Sequence, residues 1–125
     1  MIPGFRASAV LGGVAGLSGV IMAAIGSHAV PGMDDPSTMR SWLTASLIHL
    51  VHAAVLLVLA ANLKHSDSKI LGISVIFCAV GTAVFSGSIY ISLMIGTNGT
   101  GGWAPVGGVL LMLGWLLIIV DAARS

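Results

Sequence analysis

Three long stretches of the chain carry no charged residue, and they constrain its fold more than any other feature. Asp, Glu, Lys and Arg are absent from 7–33, 41–63 and 70–120. A run of roughly 18 or more apolar residues with few charges indicates a transmembrane helix, and the third stretch is long enough for two. Only 7% of the residues are charged, whereas a soluble domain has about a quarter of its residues charged. The sequence therefore predicts an integral membrane protein.

Cap and turn signals divide these stretches into four helices. Asp35 is the expected N-cap of the second helix, and Pro36 suits its first turn. The polar segment 64–69 ends this helix, and the glycine-rich segment 96–102 divides the last stretch. We predict one all-α, four-span integral membrane domain over residues 1–125, an antiparallel bundle with spans at about 7–28, 42–62, 70–95 and 104–120.

The distribution of basic residues predicts the orientation. Four spans put both termini on one side of the membrane, and the Lys/Arg bias of short loops sets which side that is. Arg40 stands alone on the opposite side. We predict cytoplasmic termini, with Trp42 and Trp103 at the outer interface, where aromatic rings prefer to lie. The side of the termini carries four basic residues: Arg6, Lys64, Lys69 and Arg124.

Composition excludes several functions. The chain has neither Glu nor Gln, so the glutamate-based di-iron sites of helical bundles cannot form. Its one cysteine cannot make an internal disulfide, and a net charge of +1 does not indicate a nucleic-acid partner. We expect no catalytic residues, no bound metal, no cofactor and no nucleic acid.

Polar residues inside the spans are the candidate functional site. His49 and His52 lie three residues apart on the second span, and Ser86, Ser88 and Tyr90 lie in the outer half of the third. Helical side chains lean toward their own N-terminus, so we expect the two sets to meet in one interior cluster joining His52, Tyr90 and the serines. Intramembrane ionisable residues indicate function by default, but the same groups can serve only as hydrogen bonds between helices.

Metal and haem binding by these histidines are alternatives. Two histidines on one helix cannot sandwich one haem, which needs axial ligands on opposite faces. A copper or zinc site using His49, His52 and a third ligand is permitted by donor type. His28, at the end of the first span, is expected as a helix C-terminal cap.

Small residues recur along the first span at steps of three and four. Helices in a bilayer associate through close backbone approach, which small residues permit. We therefore predict a packing seam and a tight bundle or oligomer. The seam consists of Gly12, Gly16, Gly19, Ala23 and Gly26.

Four segments together resemble a known family. They are 24–29 (AIGSHA), His52-Ala53, 85–90 (FSGSIY) and 104–108 (APVGG), the last followed by Gly114-Trp115. In order and spacing they are similar to the YgdD-like family of uncharacterised small inner-membrane proteins. The resemblance implies a four-helix protein of the bacterial inner membrane. This chain departs from the family pattern at two positions, since His49 stands where a glutamine is common and Ala104 where a threonine is common. The family motif also covers His28, Gly87, Pro105, Gly107 and Gly108.

The resemblance supplies no activity, so function rests on the whole pattern. We expect a non-enzymatic structural or accessory component of a membrane complex, in contact with lipid and assembled as a homo-oligomer or larger complex. The alternative is a binding protein for a small lipophilic ligand or cofactor, quinone or haem, at the outer-half polar patch. A transporter is less favoured because inverted repeats and broken helices are missing from the sequence pattern.

Overall fold

The computed structural model describes residues 1–96 and 100–125, and within them it is all α-helical. The helices are α1 (Phe5–His28), α2 (Pro36–Leu63), α3 (Lys69–Ile95) and α4 (Ala104–Arg124), and a short 3-10 turn, Thr100–Trp103, precedes the last. All four are long and apolar enough to cross a membrane. The prediction of an all-α protein with four spans is confirmed.

Helix ends follow the signals in the sequence. The Asp35 carboxylate accepts a hydrogen bond from the Thr38 amide at 3.0 Å, so it caps α2 as predicted, with proline in the first turn. Ser68 caps α3 in the same way, through the amide of Leu71 at 3.2 Å. Gly96 ends α3 in the left-handed conformation at φ 71°, which glycine adopts without strain. Residues 97–99 of the glycine-rich segment lie outside the described chain.

The central pair of helices is α2 and α3. Helix α1 packs on α2, and α4 packs on α3, so the outer helices are less buried than the central ones. One buried core cluster lies between α2 and α3, around Leu56, Val75 and Cys78. A second joins Trp42 and Tyr90 nearer the other end of the bundle.

The small residues of α1 lie against α2. A Cβ atom added at Gly12 would come within 2.7 Å of Leu57, and one at Gly19 within 2.7 Å of Leu50. Gly26 is filled by the indole of Trp42, and Gly16 lies beside Ala53. Ala23, the remaining member of the predicted seam, is half-buried.

A second set of glycines brings α4 against α3. A Cβ at Gly107 would lie 2.7 Å from the Phe85 Cα and 2.8 Å from the Gly81 carbonyl oxygen. At Gly114 it would lie 2.7 Å from the Cys78 sulfur. At Gly107 the obstacle is backbone, so the two main chains approach each other closely here.

Trp42, predicted at the outer interface, has its side chain buried between helices. Its side chain is 1% exposed, its indole nitrogen donates to the Met22 carbonyl at 3.0 Å, and its ring centroid lies 4.8 Å from that of Tyr90. The reason is the space left by Gly26, which admits the indole between α1 and α2. Trp103 is 63% exposed, as an interfacial side chain would be.

Candidate functional site: a polar network in the membrane interior

His49 links three helices. It is buried on α2. Its Nδ1 lies 3.1 Å from the Tyr90 hydroxyl on α3, and its Nε2 lies 3.0 Å from the Ser18 hydroxyl on α1. The Ser18 hydroxyl also donates to the Val14 carbonyl at 2.8 Å, so it can accept a hydrogen bond from Nε2. In a neutral imidazole one nitrogen donates and the other accepts, so the chain of donors runs from Tyr90 through His49 to Ser18.

His52 belongs to a different contact from the one predicted. Its Nε2 accepts a hydrogen bond from the Trp115 indole on α4 at 3.0 Å, and its Nδ1 lies 2.8 Å from the Ile48 carbonyl. Three residues along a helix rotate a side chain by about 300°, which leaves two neighbours about 60° apart. That rotation is enough to send His49 toward α1 and α3 and His52 toward α4. The single cluster expected around His52 is therefore divided into two.

The serines of α3 also divide. Ser86 donates to the Ala45 carbonyl of α2 at 2.8 Å and so lies beside the His49 network. Ser88 donates to the Phe85 carbonyl of its own helix at 3.0 Å and joins no other helix by that bond. Gly87, between them, has open space where a side chain would be.

A cavity of about 270 Å³ lies beside the network, and residues of α1, α2 and α3 line it. We call it the outer cavity. Its volume falls just below the roughly 300 to 1,000 Å³ of typical ligand pockets, and it exceeds the ~150 Å³ that holds one benzene ring. The polar side chains that line it are Ser18, His49, Thr82, Ser86 and Tyr90.

Metal binding has no support in this geometry. Within residues 1–96 and 100–125, no three His, Cys, Asp or Glu side chains come together as a metal site requires. Both nitrogens of His49 and both of His52 are already engaged by hydrogen bonds.

The remaining motif residues lie near the ends of α1 and α4. His28, expected as the C-terminal cap of α1, is exposed in its last turn, and Ala29 is the C-cap residue. Pro105 is in the first turn of α4. Gly107 is buried against α3, and Gly108 has only the Phe85 ring at 3.9 Å from an added Cβ.

Three contributors were missed by the sequence reasoning: Ser18, Trp115 and Ser74. Ser18 is next to Gly19 of the seam but about 100° away around the helix, so the seam alone does not predict its contact with His49. Trp115 follows a motif glycine, but nothing in the sequence pairs it with His52. Ser74 donates to the Gly114 carbonyl at 2.8 Å and joins α3 to α4.

Comparison with known proteins identifies the family. Residues 22–108 match the family described as protein of unknown function DUF423. The chain belongs to the DUF423 family. The resemblance predicted from the sequence is thereby confirmed.

Relatives of this DUF423 protein span nearly all of its length. It is 30% identical over 120 residues to the UPF0382 membrane protein YwdK of Bacillus subtilis, covering 92% of this chain and 94% of the relative. It is 29% identical to the UPF0382 inner membrane protein YgdD of Escherichia coli K12, covering 92% and 88%. A UPF0382 membrane protein of Schizosaccharomyces pombe is 25% identical, with 86% and 96% covered. No solved structure matches the chain.

These relatives and the four apolar helices confirm the predicted localisation, an integral protein of the bacterial inner membrane. The protein therefore contacts lipid.

Proposed function

We propose that this protein is a non-enzymatic structural or accessory component of a membrane complex, built as an antiparallel bundle with cytoplasmic termini. One observation carries the proposal: both histidines inside the membrane are bonded to side chains of other helices. His49 bonds Ser18 and Tyr90, and His52 bonds Trp115.

General acid–base chemistry needs a group that can reach a substrate proton. The imidazoles here instead join helices, and such interhelical bonds contribute on average about 0.6 kcal/mol each in a bilayer. Because lipid tails are as apolar as leucine, these bonds and close packing are what hold a membrane bundle together. The polar network is thus well suited to fixing the helices in one arrangement.

The outer helices offer surfaces for assembly. Helix α1 exposes Val10 and Leu17, and α4 exposes Met112 and Ile119, each by 63% or more. Lipid covers such a surface in a single copy. A second copy or another membrane protein covers it in a complex, and we infer assembly through these faces.

Cross-linking in intact membranes tests the accessory role. A photoreactive amino acid at Leu17 or Met112, on the outward faces, is expected to capture a discrete protein partner identified by mass spectrometry. The matched control places the same group at Val75, which is fully buried and is expected to give only internal products. The proposal would be contradicted if the photoreactive group at both outward positions formed adducts only with lipid when the protein is expressed at its native level in membranes.

The outer cavity supports a second candidate, the binding of a small lipophilic ligand such as a quinone. Its volume of about 270 Å³ is enough for one substituted ring. A ligand carbonyl oxygen there would accept a hydrogen bond from the Tyr90 or Ser18 hydroxyl by replacing the bond to His49 or to the Val14 carbonyl. Organic extraction of protein purified in mild detergent, followed by absorption spectroscopy and mass spectrometry, is the test. This candidate requires that a ring compound is found bound to the protein. It also requires that Gly87→Leu, which fills the open space beside the cavity, removes that compound while the protein stays folded.

A further inference from the structure

A groove lies between α2 and α4 on the side of the chain away from the His49 network. Its volume is about 630 Å³, and Leu71 of α3 contributes to its lining. The walls are apolar along α2, from Val51 through Ala54 and Val58. Asn62 and Asp121 line it at the end where α2 and α4 finish. We call this space the α2–α4 groove.

The groove is as long as one leaflet of the bilayer is deep. From Val51 to Asn62 the helix rises by about 16 Å, and half of a hydrocarbon core of about 30 Å is about 15 Å. Trp115 marks the deep end, where its hydrogen bond to His52 connects α4 with α2. An extended acyl chain entering from the membrane surface therefore has a channel of matching length.

The mouth of the groove carries positive charge. A second cavity of about 380 Å³ is lined by Lys69 and Arg124, and it shares Asp121 and Ser125 with the groove. The Asp121 carboxylate accepts a hydrogen bond from the Ser68 hydroxyl. In the part of the chain that the structure describes, neither cation forms an ion pair, so two positive charges face one negative charge. Lys64, by contrast, lies over the Phe5 ring at 5.6 Å.

From these observations we propose that the α2–α4 groove binds an anionic phospholipid, with one acyl chain in the groove and the phosphate at Lys69 and Arg124. Basic residues at the membrane surface attract anionic headgroups, and a guanidinium pairs with phosphate through two hydrogen bonds. A phospholipid supplies in one molecule both an acyl chain for the apolar walls and an anion for the mouth. The proposal is independent of the accessory role.

Native mass spectrometry in mild detergent tests this site with two defined probes. The purified protein is mixed with equal amounts of phosphatidylglycerol and phosphatidylcholine of the same acyl chains, and the lipid retained by each variant is counted. Wild type is expected to retain phosphatidylglycerol in preference. The double variant K69Q/R124Q is expected to lose that preference by about fivefold for each cation removed.

The control variant for charge is R6Q/K64Q, which makes the same change of charge at the same end of the bundle and is expected to leave the preference unchanged. The control for the groove compares Ala54→Trp, which fills it, with Val20→Trp on the exposed face of α1. Only Ala54→Trp is expected to reduce retention of both lipids, and Ala54→Leu provides a smaller filler if the tryptophan unfolds the protein.

Four results would overturn the proposal. Wild type could retain both lipids equally, R6Q/K64Q could match K69Q/R124Q, or the folded Ala54 variants could retain lipid as wild type does. A cysteine at Ala54 that cross-links to a second copy in membranes would also overturn it, because the occupant would then be protein.

Discussion

Gly107→Ala is expected to weaken the contact between α3 and α4, whose main chains approach each other closely at this residue. The new Cβ would lie 2.7 Å from the Phe85 Cα and 2.8 Å from the Gly81 carbonyl oxygen, well inside the ~3.5 Å of an ordinary contact. No side-chain rotation relieves a clash with these backbone atoms, so α4 must move away from α3 by on the order of 1 Å. A gap of that size loses up to about half of the dispersion energy of each contact between the two helices.

The expected free-energy change follows from two opposing effects. Overpacking of this kind costs about 1 to 3 kcal/mol, while alanine is favoured over glycine in a helix interior by about 0.8 to 1 kcal/mol. We expect Gly107→Ala to lower the free energy of unfolding by up to about 2 kcal/mol. The displacement would also strain the bond from Ser74 to the Gly114 carbonyl, now 2.8 Å long.

The neighbouring residue provides the control. At Gly108 an added Cβ meets only the Phe85 ring at 3.9 Å, so Gly108→Ala is expected to be neutral or to stabilise by up to about 1 kcal/mol. Both variants are unfolded in the same mixed micelles by titration with a denaturing detergent, followed by far-UV circular dichroism. If Gly107→Ala were as stable as Gly108→Ala, the close approach of α3 and α4 would be refuted.

Three further predictions concern α1, the His49 network and topology. Gly19→Leu, which meets Leu50 at 2.7 Å, is expected to destabilise by about 1 to 3 kcal/mol in the same titration, whereas Gly13→Leu, with open space around it, is expected to be neutral. His49→Phe leaves the buried Tyr90 hydroxyl without its partner and is expected to lower the free energy of unfolding by about 1 to 3 kcal/mol. The double variant His49→Phe/Tyr90→Phe is expected to lose less stability than the two single variants added together. Strictly additive losses would contradict the bond between His49 and Tyr90. A reporter fused after Ser125 is expected to be cytoplasmic, and an alkaline phosphatase that is active there would reverse the orientation.

The spans were predictable because lipid leaves few choices. A backbone that crosses hydrocarbon must satisfy its own hydrogen bonds, so an uncharged stretch of sufficient length becomes a helix. The start of α2 was equally predictable, since Asp35 and Pro36 act locally on the first turn. These features depend on residues near one another in sequence, and no knowledge of the neighbouring helices is needed.

The candidate site was only partly predictable because it depends on how each helix is rotated. The sequence shows that His49 and His52 face roughly one way, but the ~60° between them decides which helix each one meets. Tyr90 was expected to join His52, and it bonds His49 instead. Trp42 shows the same difficulty: its depth follows from the sequence, whereas its burial depends on Gly26 of another helix.

Close packing and polar hydrogen bonds occur together at the same helix contacts in this bundle. Ser74 reaches the Gly114 carbonyl, and Trp42 reaches that of Met22 beside Gly26. In both places a glycine lets the partner helix come near enough for a side chain to bond a main-chain oxygen. Since lipid does not drive apolar surfaces together, such paired contacts must set the order and register of the helices. A buried polar residue in this protein therefore indicates first which helices are neighbours. A chemical role requires a polar group that these interhelical hydrogen bonds leave free.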